Sequence, residues 1–352
     1  MYSSMKPIEV GVLGGTGMVG QHFVRFLQGH PWFKLTWLGA SDRSAGKRYK
    51  DATAWRLEGD MPSEAAGIQV SECKPGSAPR LVFSAMDASV ATEIEREFAQ
   101  AGHVVVSNSR NHRMEADVPL LVPEINAGHL ALVRIQQKNR GWSGMIVTNP
   151  NCSTVVLTMA LAPLLPFGIE RVLATTMQAV SGAGYPGVSS MDIIGNVVPF
   201  IGGEEEKMQQ ETQKILGAVS DGRSVPLQAR VSAQCNRVSV TDGHTVATSV
   251  AFAKKPSLED ARDALNGFRG APQQRNLPSA PQQPVVYLEQ QDRPQPRRDA
   301  ARENGMAVTV GRLRECPVLD LKFVACGHNA IRGAAGAAVL NAELMVSEGF
   351  LD

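Results

Sequence analysis

One cysteine of this chain stands where a thiol can act as a nucleophile. Cys152 lies within residues 148–154, TNPNCST, between an apolar segment predicted as a strand at 144–147 and an apolar run at 155–165 predicted as a helix. The asparagines and the proline before it supply turn and cap chemistry, so the thiol is expected at a helix N-terminus. The unpaired N–H groups and the positive end of the helix dipole favour the thiolate there. The alternative is a small apolar residue buried in a first helical turn, and this stretch alone does not decide between the two.

A thiol nucleophile needs a base within reach, and the chain has seven histidines to supply one. His244 stands out because Asp242-Gly243 predicts a tight turn between two long strands, at 230–240 and 245–253. Arg237 lies on the leading strand, and spacing alone does not say whether it shares a face with His244. A single histidine often has only a structural role, so the residues by themselves do not decide whether His244 is a catalytic base or a structural residue.

A glycine-rich loop opens the chain. Gly15, Gly17 and Gly20 satisfy GxGxxG between an apolar strand at 8–13 and a helical pattern at 17–27. In that context the glycines permit a tight turn, close approach of backbone N–H groups to a pyrophosphate, and close helix–strand packing. We therefore predict dinucleotide binding by the loop residues Gly15, Thr16, Gly17, Met18 and Val19.

The end of the second predicted strand, at 34–40, bears on the choice of dinucleotide. Asp42 could accept a hydrogen bond from the ribose 2′-hydroxyl of NAD. Ser41, Arg43 and Ser44 instead offer two hydroxyls and a guanidinium, which suit a 2′-phosphate better. The pattern favours NADP.

The first half of the chain alternates strands and helices, which predicts an α/β fold with a Rossmann-like, doubly wound parallel sheet. Arg110 and Asn111 follow the predicted strand at 103–107, at the sheet edge where ligands bind, so Arg110 is either an anion ligand or a surface charge. We place this domain at residues 1–151, completed by a C-terminal helix at 329–352.

Residues 152–328 predict a second, α+β domain, because long strands alternate with fewer helices on a mixed or antiparallel sheet. Its helix at 202–216 is strongly charged and places Glu204 and Lys207 on one face. Residues 271–298 are rich in Pro, Gln and Arg, and we expect an extended arm there that is too polar for the core.

Composition excludes several functions. The net charge of +1 gives no reason to expect a nucleic-acid or anionic-membrane partner. Five scattered cysteines lack metal-binding spacing, so we expect reduced thiols, no metal site and a cytoplasmic protein. No apolar segment approaches the roughly 18 residues of a transmembrane helix.

In combination these motifs resemble the aspartate-semialdehyde dehydrogenase family over nearly the whole chain. The residues that carry the resemblance are the amino-terminal glycine loop, 151–154 (NCST), Gln178 with 181–184 (SGAG), 204–207 with Glu211-Thr212, Arg237 with His244, and 329–336 (NAIRGAAG). The segments 41–46 (SDRSAG) and 292–296 (DRPQP) are similar to the archaeal and fungal branch.

The resemblance implies a catalytic and dimerisation domain like that of glyceraldehyde-3-phosphate dehydrogenase, in a homodimer or homotetramer. It also implies roles for particular residues. Cys152 would be the nucleophile, His244 the acid/base, Gln178 the residue that orients the substrate, and Asn151 a donor to the oxyanion. The implied substrate ligands are Arg237 for the α-carboxylate, Glu204 for the α-ammonium, and Lys207, Arg110 and Asn111 for the phosphate. Ser181, Gly182 and Asn329 would complete the cofactor site.

The implied reaction is the reversible NADPH-dependent conversion of L-aspartyl 4-phosphate to L-aspartate 4-semialdehyde through a cysteine thioester, a step in lysine, threonine and methionine biosynthesis. Two related activities stay open: malonyl-CoA reductase and N-acetyl-γ-glutamyl-phosphate reductase. Malonyl-CoA would need Arg237 but not Glu204. A dinucleotide-sensing protein without catalysis would lack the nucleophile or the base, and both are present here.

Overall fold

The computed structural model describes residues 6–351 and contains two large sheets that adjoin the cysteine turn. The first is a six-stranded, all-parallel sheet in the order β3-β2-β1-β4-β5-β6. Its strands are β1 Ile8–Leu13, β2 Phe33–Ala40, β3 Val70–Glu72, β4 Leu81–Ser84, β5 Val104–Ser107 and β6 Met145–Thr148. Strands β4, β5 and β6 are buried along their whole length, as expected when helices cover both faces. The predicted Rossmann-like sheet is confirmed.

Helices connect these strands. They are α1 Met18–Phe26, α2 Tyr49–Ala52, α3 Ser63–Ala66, α4 Ala88–Gln100, α5 Pro123–Asn126 and α6 Leu132–Arg140. The helix α1 follows the glycine loop directly, and α4 begins at a cap in which the Asp87 side chain accepts from the amide of Ser89. Both helices leave the carboxyl ends of strands, which places their N-termini at the edge where ligands bind.

The second sheet has seven strands in the order β13-β14-β15-β12-β7-β11-β8. Strands β7 and β11 pair in parallel, whereas β12 runs antiparallel to both β7 and β15, so the predicted mixed sheet is confirmed. Its strands are β7 Ile169–Gln178, β8 Val197–Val198, β11 Arg230–Val238, β12 His244–Phe252, β13 Val285–Leu288, β14 Val308–Glu315 and β15 Leu321–Gly327, and a separate hairpin comprises β9 Ala218–Ser220 and β10 Arg223–Val225.

The helices of the second half cover mainly one face of this sheet. They are α7 Cys152–Leu161, α8 Ser190–Ile193, α9 Glu204–Ile215, α10 Leu258–Gly267, α11 Ala271–Gln274 and α12 Pro296–Asp299. All residues of α7 from 153 to 161 are buried, because this helix packs against the strands and against α9. The cysteine helix is therefore fixed on every side except at its N-terminus.

The end of the chain returns to the first sheet. A π-helical turn, Ile331–Ala335, leads into α13 Gly336–Ser347, whose apolar side chains belong to the same core as β1, β4 and β5. This arrangement is consistent with the predicted boundaries at 151 and 328, which stay a prediction. Residues 1–5 and 352, which those boundaries include, lie outside the described residues.

The prediction that residues 271–298 form an extended arm outside the core is wrong in part. Strand β13 lies within this segment and pairs in parallel with β14 at the edge of the sheet. Val285 and Leu288 are buried there, so two apolar residues in a polar segment suffice to anchor an edge strand. Among residues 6–351, no helix is long and apolar enough to cross a membrane.

Candidate active site

Cys152 is the first residue of α7, as the sequence predicts. The side chain of Asn151 caps this helix, because its Oδ1 accepts from the backbone amides of Ser153 at 2.9 Å and Thr154 at 3.2 Å. The strand β6 ends three residues before the cap, so the thiol lies at the carboxyl edge of the six-stranded sheet. Gly333 packs directly against Cys152, at a position where any Cβ would collide with the cysteine.

His244 lies beside the thiol, with its Nε2 3.1 Å from the Sγ of Cys152. Its other ring nitrogen, Nδ1, accepts a hydrogen bond from the backbone amide of Ala179 at 3.1 Å. An amide N–H can only donate, so Nδ1 carries a lone pair and the neutral ring carries its proton on Nε2, facing the sulfur. Gly243 holds the preceding turn at φ +96°, and Pro296 and Ala300 pack against it.

Burial opposes the charged form of both the thiol and the imidazole. Desolvation and the nearby Glu204 carboxylate raise the pKa of Cys152 to about 12, against the opposing effects of Arg113 and Arg237. Desolvation, and next the charge of Arg237, lower the pKa of His244 to about 3. Burial therefore opposes the stabilisation of the thiolate that the helix N-terminus offers, and the role of Cys152 as nucleophile stays a prediction.

A chain of hydrogen bonds joins four of the predicted site residues. Gln178 donates to the hydroxyl of Ser153 at 2.9 Å, and that hydroxyl donates to Asn151 Oδ1 at 2.6 Å. Asn151 Nδ2 donates to Glu204 at 2.7 Å, and Lys207 donates to the other Glu204 oxygen at 3.1 Å. In this arrangement the Asn151 amide is directed to Glu204 and not to an oxyanion.

Arg237 shares a side with His244, which the sequence left open. Its Nη1 donates to the backbone carbonyl of Ala179 at 2.7 Å, one residue after Gln178. A Cβ at Gly182 would lie 2.9 Å from His244 and 3.0 Å from the Arg237 guanidinium, so this glycine leaves room for both side chains. The nucleophile, the imidazole and a buried cation therefore converge on one point.

The predicted cofactor residues lie in two groups. In the first, the amides of Gly14 and Gly15 donate to the carbonyl of Gly39, which ties the glycine loop to the end of β2. Ser41 and Arg43 follow that strand and are exposed, with Ser44 partly buried, so their donors are available to an anion beside the loop. This donor set fits the 2′-phosphate of NADP. A Cβ at Gly20 would collide with Gly14, so close packing requires glycine here.

The second group adjoins the histidine turn. Asn329 Nδ2 donates to the Ser181 hydroxyl at 2.8 Å, and Asn329 Oδ1 accepts from the amide of Gly243 at 2.8 Å. These residues therefore connect the end of β15 to the turn that presents His244. Their predicted contact with the cofactor stays a prediction.

Arg113 and Glu211 are two charged residues of the site to which the sequence analysis gave no role. Arg113 is buried and donates to Glu211 at 2.9 Å and to the carbonyl of Asn108 at 2.7 Å. By contrast Arg110 is exposed, and the Asn111 amide donates to the Ala88 carbonyl at 2.8 Å, on the side of α4. The sequence feature that could have indicated a role for Glu211 is its position two helical turns after Glu204, on the same helix face.

The described part of the chain holds no cluster of His, Cys, Asp or Glu side chains arranged to bind a metal ion. The charged and reactive groups at the site are instead a thiol, an imidazole, two guanidinium groups, two carboxylates and an ammonium group. This set fits covalent acyl chemistry on an anionic substrate.

Comparison with known proteins agrees with this chemistry. Two family models match, semialdehyde dehydrogenase, NAD binding domain, over residues 9–133 and semialdehyde dehydrogenase, dimerisation domain, over residues 161–332. The aspartate-semialdehyde dehydrogenase of Methanothermobacter thermautotrophicus is 50% identical over 343 residues, which cover 96% of this chain and 99% of that protein. The Schizosaccharomyces pombe protein of the same name is 48% identical over 353 residues, with 97% and 99% covered. The crystal structure of aspartate semialdehyde dehydrogenase with NADP from Candida albicans has a TM-score of 0.91 at 45% identity, with 98% of this chain and 99% of that chain covered.

The raised pKa of Cys152 leads to a test of its reactivity. Below the pKa the thiolate fraction rises about tenfold per pH unit, so alkylation by iodoacetamide should accelerate steadily with pH and show no plateau near neutrality. The modified Cys152 peptide is quantified by mass spectrometry, which separates it from the other cysteines. Glu204→Gln should raise the rate at a fixed pH, because it removes a charge that opposes ionisation. A plateau between about pH 6 and about pH 8 would instead indicate a preformed thiolate–imidazolium pair.

Proposed function

The chain belongs to the aspartate-semialdehyde dehydrogenase family, and we propose that it catalyses the reversible NADPH-dependent conversion of L-aspartyl 4-phosphate to L-aspartate 4-semialdehyde and phosphate. The step would serve lysine, threonine and methionine biosynthesis. The 3.1 Å contact between Cys152 Sγ and His244 Nε2 supports this proposal most directly. Its setting, with a buried guanidinium on one side and a carboxylate–ammonium pair on the other, suits an amino acid substrate.

In the biosynthetic direction Cys152 attacks the acyl carbon. A carbon–sulfur bond forms, the bond to the phosphate oxygen breaks, the departing phosphate takes up the thiol proton, and a thioester results. When bound, NADPH would supply a hydride to this thioester; the carbon–sulfur bond would then break, the aldehyde would leave, and the sulfur would regain a proton. His244 is the proposed acid/base partner, since its Nε2 is within reach of the sulfur and of an oxygen on the attached carbon. The resting tautomer presents an N–H there, which suits donation to the developing oxyanion.

The substrate α-amino acid group is the basis of specificity in this proposal. Arg237 would hold the α-carboxylate through two parallel hydrogen bonds, and Glu204 would hold the α-ammonium. Gln178, linked through Ser153 to the nucleophile turn, would orient the reacting end. Malonyl-CoA has a carboxylate for Arg237 but no cation for Glu204, so the buried Glu204 favours the amino acid.

For the phosphate group we place Arg113 and Lys207 ahead of Arg110 and Asn111. Arg113 lies close enough to the thiol for its charge to lower the Cys152 pKa, whereas Arg110 is exposed. The Asn111 amide already has partners on α4. A phosphate leaving the acyl carbon would therefore meet Arg113 first.

The cofactor is NADP, held in two places. The glycine loop, from Gly15 to Val19, would contact the pyrophosphate, and Ser41, Arg43 and Ser44 the 2′-phosphate. Ser181, Gly182 and Asn329 lie next to His244 and would contact the nicotinamide end. Residues 1–151 with 329–352 would form the NADP-binding domain and residues 152–328 the catalytic and dimerisation domain. The free cysteines support a cytoplasmic location.

We further propose that the chain forms a homodimer through the outer face of the seven-stranded sheet. Leu173 of β7 is 48% exposed on that face, and Met191, in the segment that leads to the edge strand β8, is 89% exposed. Nearby apolar side chains are also exposed, namely Met177, Tyr185, Ile194, Val197 and Phe200. Several large apolar side chains exposed on one sheet and the segment at its edge are typical of a protein interface.

The activity itself is the first test. The chain incubated with L-aspartate 4-semialdehyde, NADP and phosphate should form NADPH, and omission of phosphate should stop turnover. Cys152→Ala should lower kcat on the order of 10⁴-fold or more, because no covalent intermediate can form. NADP binding, measured by fluorescence titration, should not change. Turnover of malonyl-CoA or N-acetyl-γ-glutamyl phosphate in place of the aspartyl substrate, or retained activity of Cys152→Ala, would refute the proposal.

The phosphate site is tested by a matched pair of arginine variants in one loop. Arg113→Gln should raise the KM for phosphate by at least about tenfold, since a charge-assisted hydrogen bond is lost. Arg110→Gln serves as its control, with the KM for phosphate within about twofold of the wild-type value. A larger increase of the KM for phosphate in Arg110→Gln than in Arg113→Gln would instead assign phosphate binding to Arg110.

The dimer is tested by placing a charge in the exposed face. Leu173→Asp should convert the particle from twice the chain mass to the mass of one chain in sedimentation equilibrium, because the interface would bury an unpaired carboxylate. Val318→Asp is the control, since Val318 is 79% exposed in the turn after β14. A wild-type protein that sediments as one chain would contradict the proposed dimer.

A further inference from the structure

Helix α9 turns four charged side chains towards the site. Glu204, Lys207, Glu211 and Lys214 follow one another at intervals of three, four and three residues, so they lie on one helix face. Glu204, Glu211 and Lys214 are buried, which is unusual for charged residues and requires partners for each. The proposed function assigns roles only to Glu204 and Lys207.

The Glu211 carboxylate connects two different parts of the site. One oxygen accepts from the Arg113 guanidinium at 2.9 Å, and the other accepts from the backbone amide of Asn151 at 2.6 Å. Glu211 is only 2% exposed, so both contacts are shielded from water. Charge-assisted hydrogen bonds of this length in a buried site are strong.

The contact with Asn151 replaces a missing local interaction. In a capping box, a Glu or Gln at the third helical position accepts from the backbone amide of the N-cap residue. Here the N-cap is Asn151 and the third position is Thr154, whose backbone amide donates to the cap and whose side chain cannot act as that carboxylate. Glu211, from another helix, accepts from the Asn151 amide instead.

The contact with Arg113 orients a cation beside the thiol. Arg113 also donates to the carbonyl of Asn108, and its Nε is buried without a hydrogen-bond partner among residues 6–351. Lys214, one turn after Glu211, donates to the backbone carbonyls of Arg113, Glu115 and Val118 at 2.7–2.9 Å. The loop that carries Arg113 is thus attached to α9 at two points.

We propose that Glu211 is a positioning residue of the reaction, which fixes the separation between the nucleophile turn and the Arg113 guanidinium. The proposal rests on the proposed function of this site. Glu211 touches no reacting atom; it acts through the backbone of Asn151, next to Cys152, and through Arg113. It therefore affects both the attack by the thiol and the stabilisation of the phosphate.

The decisive variant is Glu211→Gln. One face of the glutamine amide carries N–H groups, which cannot accept from Arg113 or from the Asn151 amide, so one of the two contacts is lost. We expect the KM for phosphate to rise by at least about tenfold, with a lower kcat and an unchanged Kd for NADP. Glu206→Gln is the matched control, because Glu206 lies exposed on the same helix.

Further measurements separate positioning from mere stability. A loss of folded protein would lower kcat and leave the KM for phosphate unchanged. In the double variant with Arg113→Gln, the effects on the KM for phosphate should be clearly less than additive, because both changes disturb one contact. If Glu211→Gln does not fold, Glu211→Asp keeps the charge with a shorter reach and should still raise the KM.

The outcomes that overturn the proposal are a KM for phosphate within about twofold of wild type in Glu211→Gln or Glu211→Asp, or full additivity with Arg113→Gln. Failure of the proposed function would be recognised separately. In that case the wild-type chain itself would form no NADPH from the semialdehyde and phosphate.

Discussion

The contact between Cys152 and His244 joins two sheets, and much of the fold serves to hold it. The cysteine follows the last strand of the parallel sheet, whereas the histidine begins β12 of the mixed sheet. Three glycines allow their approach: Gly333 lies against the cysteine, Gly182 against the histidine, and Gly243 forms the turn at positive φ. A side chain at Gly333 or Gly182 would collide with the cysteine or the histidine, and one at Gly243 would collide with Pro296 and Ala300. The geometry of the pair is therefore a property of the junction and not of either sheet alone.

Sequence patterns predicted the elements well and the polar contacts poorly. Strand β1 and the glycine loop were predicted correctly because their sequence features are local. A short apolar run predicts the strand, and the backbone freedom of the glycines predicts the tight turn of the loop. The edge strand β13 was missed because two buried residues in a Pro-rich segment give too weak a pattern. The placement of Cys152 at a helix start was correct, but the burial that raises the pKa of its thiol could not be predicted, since desolvation depends on what the rest of the chain packs around the sulfur.

Arg113 and Glu211 show why the site could be predicted only in part. They are 98 residues apart, and their hydrogen bond exists because α9 packs beside the loop that follows β5. No local pattern distinguishes Arg113 from Arg110, since both occur in a polar loop after a strand. Burial separates them, and burial is a tertiary property. The sequence of α9 did allow one prediction, because it places four charged residues on one helix face. If that face is buried, each of these charges needs a partner.

The carboxylate of Glu204 beside the thiol has a consequence for specificity. Glu204 is among the groups that hold the Cys152 pKa high, and it is also the proposed ligand of the substrate ammonium. A cation bound to Glu204 offsets its charge, so the pKa of the neighbouring thiol falls when a zwitterionic amino acid occupies the site. An acyl compound without an ammonium group would add no cation to the Lys207 ammonium that already pairs with Glu204, and would not lower the thiol pKa in this way. Binding of the amino acid substrate would then activate the nucleophile. The Glu204 carboxylate would thus contribute both to substrate binding and to discrimination against other acyl compounds.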